Sequence, residues 1–285
     1  MEISPLVTRT AIKILSFKTT EGSAPIEVLC DDDEIYFAKT TNYSTEPHTD
    51  LICEILGIYY ARIWGLKTAE SCLIDIPLDI VEDYLKENEI LLPKRYSKTK
   101  FDEIQFFGVK LIPNAFETDS YINGLNSLKE FNLFNSPLDL IKIGILDSWL
   151  GNKDRKPNNP NILLSTNEGK IDFFPIDFAA CFGYAHKLKI LKPFNLDLEG
   201  HYSILNSGFA ISVLKMAKNK VLLELSKEIS IFISNSIKSS NQIFDLIPKS
   251  WGFSKDAKKN TIFVLSDSER NKKVENSFLI YKPKK

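Results

Sequence analysis

The chain has 285 residues, 44% of them hydrophobic and 11% aromatic, enough to bury a sizeable core and too much for a disordered chain. Its 36 Lys and Arg against 37 Asp and Glu leave a formal net charge of −1, which argues against a dedicated nucleic-acid binder. No apolar stretch approaches the ~18 residues of a membrane span, and the first residues lack the basic start and apolar run of a signal peptide. The cysteines Cys30, Cys53, Cys72 and Cys181 form no Cys-x-x-Cys pair; they read as buried thiols in a reducing compartment, so the expected location is cytoplasmic.

The first part of the chain reads as strands. Ala11 to Phe17, Ile26 to Cys30 and Ile35 to Lys39 are short apolar runs separated by turn-rich segments, Thr19 to Pro25 and Asp31-Asp32-Asp33. That spacing predicts an antiparallel meander. Leu51, Ile52, Ile55, Leu56, Tyr59 and Ile63 recur at three- and four-residue intervals and predict a helix, with Thr49 or Asp50 as its cap and Gly65 at its end. A helix is expected at 78–87 and a strand at 104–112, and the polar stretch Lys94 to Lys100 reads as a surface loop. Pro137 to Leu150 predicts a second clear helix that stops at Gly151-Asn152. Asn161 to Leu164 and Lys170 to Ile176 flank Thr166-Asn167-Glu168-Gly169 and predict a hairpin. The remainder is expected to be helical, with a long apolar pattern over Ala210 to Ile237 and a weaker one over Asp256 to Ile280. There is no internal repeat.

The segment from Gly151 to Leu164 carries the strongest chemical signal. The predicted hairpin brings Asp154, Asn159, Asn161 and Asp177 close together. Mg²⁺ takes hard oxygen ligands, typically one or two from protein with water and phosphate completing the shell. Asn159 and Asp177 can supply such oxygens, while Asp154 can accept the proton of an attacking hydroxyl. The Asp154-x4-Asn159 spacing matches a kinase catalytic loop, whereas the Asn-Ile-Leu-Leu context favours Asn161 as the ligand instead. Lys39 ends a strand and Glu54 lies in the next helix, a pairing that can aim a lysine at nucleotide phosphates. Gly22-Ser23 in the first turn can bring backbone N–H groups close to phosphate oxygens. Each of these features is common by itself; their order along the chain is that of a protein-kinase-like phosphotransferase.

On these motifs the chain resembles the HipA-like kinase family, whose fold is related to protein kinases and shares features with phosphoinositide kinases. The resemblance runs over residues 11 to 185 through Gly22-Ser23-Ala24-Pro25, Tyr36-Phe37-Ala38-Lys39, Glu54 with Ala61-Arg62-Ile63-Trp64-Gly65-Leu66, Asp147 to Arg155, Asn159 to Leu164, and Pro175 to Ala180. It implies an α+β, two-lobed fold, with an antiparallel-sheet N-lobe over 1–112 and a mostly helical C-lobe over 113–285. It also implies transfer of the γ-phosphoryl group of ATP to a Ser or Thr hydroxyl of a protein, with autophosphorylation and a toxin role as family traits and an antitoxin as the matching partner. Lys39 would contact the α- and β-phosphates, Glu54 would orient Lys39, and Gly22 and Ser23 would cover the phosphates. Asp154 would be the catalytic base, and Asn159 and Asp177 would hold Mg²⁺. Arg155 would steady the loop or the transferred phosphate, Asn152 would shape the loop, and the adenine-binding hinge is placed at Phe107-Gly108-Val109. Lys156 stands where the family often has His, and Ala179 replaces the Gly of the usual Asp-Phe-Gly. Few residues separate Asp177 from the next element, so no long activation loop is expected. A lipid or small-molecule kinase and a catalytically silent nucleotide-binding module are the competing readings.

Overall fold

The computed structural model describes residues 3–18, 24–40, 48–184 and 203–277. Five strands close into a barrel in the order β1-β2-β3-β5-β4, formed by Thr8–Phe17 (β1), Ile26–Cys30 (β2), Ile35–Lys39 (β3), Ser71–Asp75 (β4) and Phe106–Lys110 (β5). The expected antiparallel meander accounts for β1, β2 and β3, but the closure does not follow it, because β4 pairs parallel to β1 through Thr8, Arg9 and Thr10. A parallel partner requires a long crossover, here supplied by the helix between β3 and β4. Period-two alternation along β2 and β3 turns Ile26, Val28, Cys30, Tyr36 and Ala38 into the barrel, where they pack with Cys72, Ile74 and Phe106.

The crossover helix α1, Thr49–Ile63, is buried along almost its whole length. Its first turn is preceded by His48, and no side chain caps it, contrary to the Thr49 or Asp50 cap expected. Gly65, at φ +71°, ends it as predicted, and Leu66 N–H folds back onto Ala61 O. Helix α2, Leu78–Glu87, packs on the barrel. The segment expected as a plain surface loop instead forms a turn, Lys94–Tyr96, that buries Tyr96 against Phe17 and Phe101, with its hydroxyl donating to Ala24 O.

A second, three-stranded sheet is ordered β6-β7-β8, from Ala115–Glu117, Ile162–Asn167 and Lys170–Pro175. The β7–β8 turn places Glu168 at φ +50° and Gly169 at φ +76°, the left-handed pair that a two-residue hairpin demands. Around this sheet lie the short α3 (Leu128–Phe131), α4 (Asp139–Leu150), the single turn α5 (Cys181–Tyr184), α6 (Gly208–Met216), α7 (Asn219–Asp245), α8 (Lys255–Leu265) and α9 (Ser268–Asn276). The long pattern expected over 210–237 is thus two helices, broken at Ala217 and Lys218 where the backbone turns extended. Buried side chains of α1, α4, α6, α7 and α8 and of the second sheet make one continuous cluster, and Leu73 and Phe107 on the outside of the barrel join it. Tyr60 and Trp64 of α1 hydrogen bond to Ser240 and Ser236 of α7 within that cluster.

Candidate active site

Lys39 stands at the end of β3 on the outer face of the barrel, because Ala38 is the inward residue. Its ammonium lies 2.5 Å from Glu54 Oε1 and 3.5 Å from Asp177 Oδ1. Glu54 is 2% exposed and uses its second oxygen to accept from the Phe178 N–H at 3.1 Å. One carboxylate on α1 therefore joins the barrel lysine to the segment that follows β8. Burial pushes the Glu54 carboxyl up to about 7 against the pull of Lys39, with Asp177 adding to the upward push. Burial is the largest influence on Asp177 and pushes its carboxyl up, but Lys39, the Glu54 side chain and Arg155 together outweigh it and hold that carboxyl below the usual range. The Asp177 side chain remains 34% exposed, so an oxygen-seeking ion can reach it.

Asp154 sits in the connection between α4 and β7. Its N–H donates to Asn152 Oδ1 at 3.1 Å, and the Asn152 amide donates to Asp147 Oδ1 at 3.0 Å. Asn152 is buried and holds the loop from inside. The turn is closed by reciprocal backbone bonds between Lys156 and Asn159. The two candidate asparagines do different things: Asn159 Nδ2 donates to the Asp154 backbone carbonyl at 3.2 Å, whereas Asn161 Nδ2 donates to the Asp154 carboxylate at 3.1 Å. Asn161 also adopts φ +47°, a conformation Asn tolerates better than most residues, and its carbonyl accepts from Ile176 N–H. That bond ties the loop to the residue before Asp177, itself at φ +58°.

Arg155 is fully buried. Its Nη2 donates to Ile176 O at 2.8 Å, its guanidinium lies 4.8 Å from the centre of the Phe178 ring, and its Nε faces Asp147 Oδ2 at 3.5 Å. Burial pushes the Asp147 carboxyl up to about 6 even with Arg155 and Asn152 beside it. Phe178 enters the core where α1 carries Gly57; a Cβ there would come within 2.2 Å of the ring. Sequence reasoning assigned no role to Asp147, Gly57 or Phe178. A glycine inside an otherwise apolar helix was the available signal for Gly57, since such a residue usually marks a close approach.

Lys39, Glu54 and Asp177 therefore meet directly, and Asp154, Asn159 and Asn161 form a neighbouring set joined to it through Ile176. Gly22 and Ser23, and the stretch 185–202 on which the expected lack of an activation loop depends, lie outside the described residues. Phe107 and Gly108 do not line an open edge. They lie inside β5 with β3 on one side and β4 on the other, so their backbone groups belong to the ladders, and Gly108 faces Cys72 and Ile74 in the barrel interior. A cavity of about 420 Å³ between β5 and the second sheet is lined by Lys67, Lys110, Asn114, Thr166 and Asp172 and by none of the residues singled out above.

A divalent cation fits the donor chemistry here. Two carboxylates face one ammonium in the Lys39 cluster, and Asn159 keeps its amide oxygen while its nitrogen is used by Asp154 O.

Comparison with known proteins gives a family match and a fold match. A family model described as HipA-like kinase matches residues 12–275. The crystal structure of the Helicobacter pylori proinflammatory kinase CtkA is similar over 97% of this chain and 98% of that one, at 16% sequence identity and a TM-score of 0.55. The Golgi casein kinase with Mn/ADP bound is similar over 98% of this chain and 74% of that one, at 12% identity and a TM-score of 0.45. No curated protein sequence matches.

Proposed function

We propose, from the premise that this chain belongs to the HipA-like kinase family, that it transfers the γ-phosphoryl group of ATP to a Ser or Thr hydroxyl of a protein. The carrying observation is the Lys39–Glu54–Asp177 cluster, in which an ammonium is held between two carboxylates from different parts of the chain. Lys39 is in place to meet the α- and β-phosphates, and Glu54 keeps it there. In the reading we favour, nucleotide lies between the barrel and the helical part, with the boundary between the two parts near residue 112.

Asp154 takes the proton of the acceptor hydroxyl. Asn161 occupies its Oδ2, which leaves Oδ1 as the accepting oxygen. The γ-phosphoryl group then passes from the β-phosphate oxygen of ATP to the hydroxyl oxygen, leaving ADP. Asn159 and Asp177 would hold Mg²⁺, which supplies neutralisation of phosphate charge. Arg155 acts from behind, fixing Ile176 and Phe178 so that Asp177 keeps its place. Most of the rate comes from positioning and electrostatics.

The test is incubation with γ-labelled ATP and Mg²⁺, wild type beside Asp154→Ala and Asp177→Ala, followed by mass spectrometry against a lysate-wide acceptor pool. Phosphorylated Ser or Thr in the wild type, lost by about 10²-fold or more in both folded variants, is expected. Normal turnover by the variants would sink the site assignment. Label in a lipid or metabolite would replace the protein acceptor, and nucleotide binding with no transfer to any acceptor would make the chain a silent module.

A further inference from the structure

The C-terminal end of α4 is the platform from which Asp154 is hung, and its backbone carbonyls cannot all be satisfied by the helix itself. Gly151, at φ +64°, turns the chain away, and the N–H groups of both Gly151 and Asn152 fold back onto Asp147 O. The carbonyls of Ser148 and Trp149 are left at the negative end of the helix with no helical donor to follow. Both are taken by one side chain from the far end of the sequence: Arg270 Nη2 donates to Ser148 O at 2.9 Å and also to Trp149 O.

Arg270 reaches them because of how α9 begins. Asp267 caps that helix by accepting from the Arg270 N–H at 2.7 Å, which sets Arg270 in the first turn facing inward. The residue is 4% exposed, and its Nε and Nη1 have no hydrogen-bond partner among the described residues. A buried guanidinium that spends its bonds on two helix-end carbonyls carries a desolvation cost that simple packing would avoid. The neighbouring Asn271 makes a second contact at the same place, accepting from the Trp149 indole N–H at 3.2 Å and donating to Leu265 O at 3.0 Å. Trp149 in turn packs against Tyr60 and Trp64 of α1. Downstream of the clamp, Gly151 O accepts from Gly183 N–H beyond the Asp177 segment, and Asn152 Oδ1 accepts from the Asp154 N–H.

We infer that Arg270, assisted by Asn271, is a positioning residue for phosphoryl transfer: it clamps the last carbonyls of α4 and thereby fixes the loop that presents Asp154. The inference rests on the kinase reading for its catalytic consequence and on the geometry alone for its structural one. The polar helix α9, which contributes nothing to the nucleotide cluster, becomes part of the machinery by holding the base.

Two readouts on the full chain separate these parts. The first is amide hydrogen exchange, which needs no activity. Arg270→Met is expected to speed exchange across residues 150–155 by about 10-fold while the barrel strands stay protected. The second is transfer from γ-labelled ATP to casein as a generic acceptor. There kcat is expected to fall by about 10²-fold with KM for ATP nearly unchanged, because the Lys39 cluster is untouched. Arg270→Lys keeps the charge and is expected to recover part of the loss. Unchanged exchange at 150–155 overturns the inference, and so does a rise spread evenly over α4, α7 and α9, which would mark Arg270 as packing alone. If Arg270→Met does not fold, Asn271→Ala carries the same two readouts. Wild-type protein that transfers no phosphate to casein or to any acceptor in the lysate-wide pool defeats the kinase reading, while the exchange result still decides whether the clamp holds the loop.

Discussion

Asn159 and Asn161 are two residues apart, yet the backbone gives them different work. Asn161 is held at φ +47° and sends its amide to the Asp154 carboxylate, whereas Asn159 bonds to the Asp154 main chain and keeps an oxygen available. Asn161→Gly, which accepts a positive φ without strain, is therefore expected to retain most transfer. Asn159→Ala is expected to raise the Mg²⁺ concentration needed for half-maximal rate by about 10-fold or more, a shift of the size seen when a metal's support is removed. A metal titration of both variants checks this, and equal shifts would show that the two residues share the ligand role. Asp147 gives a stability prediction of definite sign. Its carboxyl is pushed up to about 6 in the fold, above its ordinary value, so the stability it contributes is complete at low pH and is lost as pH rises through 6. The urea midpoint of the wild type relative to Asp147→Asn should thus fall between about pH 4 and 7 and level off above that. A difference independent of pH would mean that Asp147 is ionised throughout.

At the level of elements, the meeting of α1 with the segment after β8 turns on Gly57. Alanine there would ordinarily favour the helix by about 1 kcal/mol, but its Cβ would fall 2.2 Å from the Phe178 ring. Overpacking of that kind costs about 1–3 kcal/mol, so Gly57→Ala is expected to lower the melting temperature. It should lower transfer further, because Phe178 cannot move without loosening its N–H bond to Glu54. Phe178→Leu in the Gly57→Ala background should restore part of both losses. Thermal melts and initial rates on the single and double variants decide this, and an unaltered rate in Gly57→Ala would show that Phe178 has another place to go.

The elements differ in how readable they were. The β7–β8 hairpin announced itself because Glu168-Gly169 supplies the turn chemistry between two apolar runs. The meeting of Lys39 with Glu54 and Asp177 was legible because residue type and order along the chain carry it. Barrel closure was not, since β1 finds β4 across more than fifty residues and local patterning says nothing of a parallel partner. Arg270 was hidden for a related reason: α9 is a charged helix, Ser268–Asn276, and nothing in its composition says which charge turns inward.

Across the whole molecule, the buried side chains form one cluster inside the barrel and one among the helices, with α1 packed within the second while its Glu54 binds the barrel lysine. Trp64, Trp149 and Trp251 all lie in the helical cluster, whereas Cys30 and Cys72 lie in the barrel, and all four thiols are buried. Cys53 and Cys181 lie in the helical cluster, so with those two replaced by serine, tryptophan fluorescence reports the helical part and the accessibility of Cys30 and Cys72 reports the barrel. Because α1 and the outward Leu73 and Phe107 connect the parts, both probes are expected to change at the same urea concentration. Separate midpoints would show the barrel opening independently. The native protein should react slowly with thiol reagents, since burial pushes all four thiols up from their ordinary value.

The backbone at Asp177 has a consequence for how this chain tolerates change. A side chain at φ +58° costs about 1 kcal/mol that glycine would not, while the ion pair with Lys39, part of what holds the Asp177 carboxyl below the usual range, offsets that cost at neutral pH and is lost in acid. Heat resistance and turnover therefore part company only in acid: a library sorted there by thermal endurance alone would drift toward glycine, and a sort that also demands phosphate transfer would keep the aspartate.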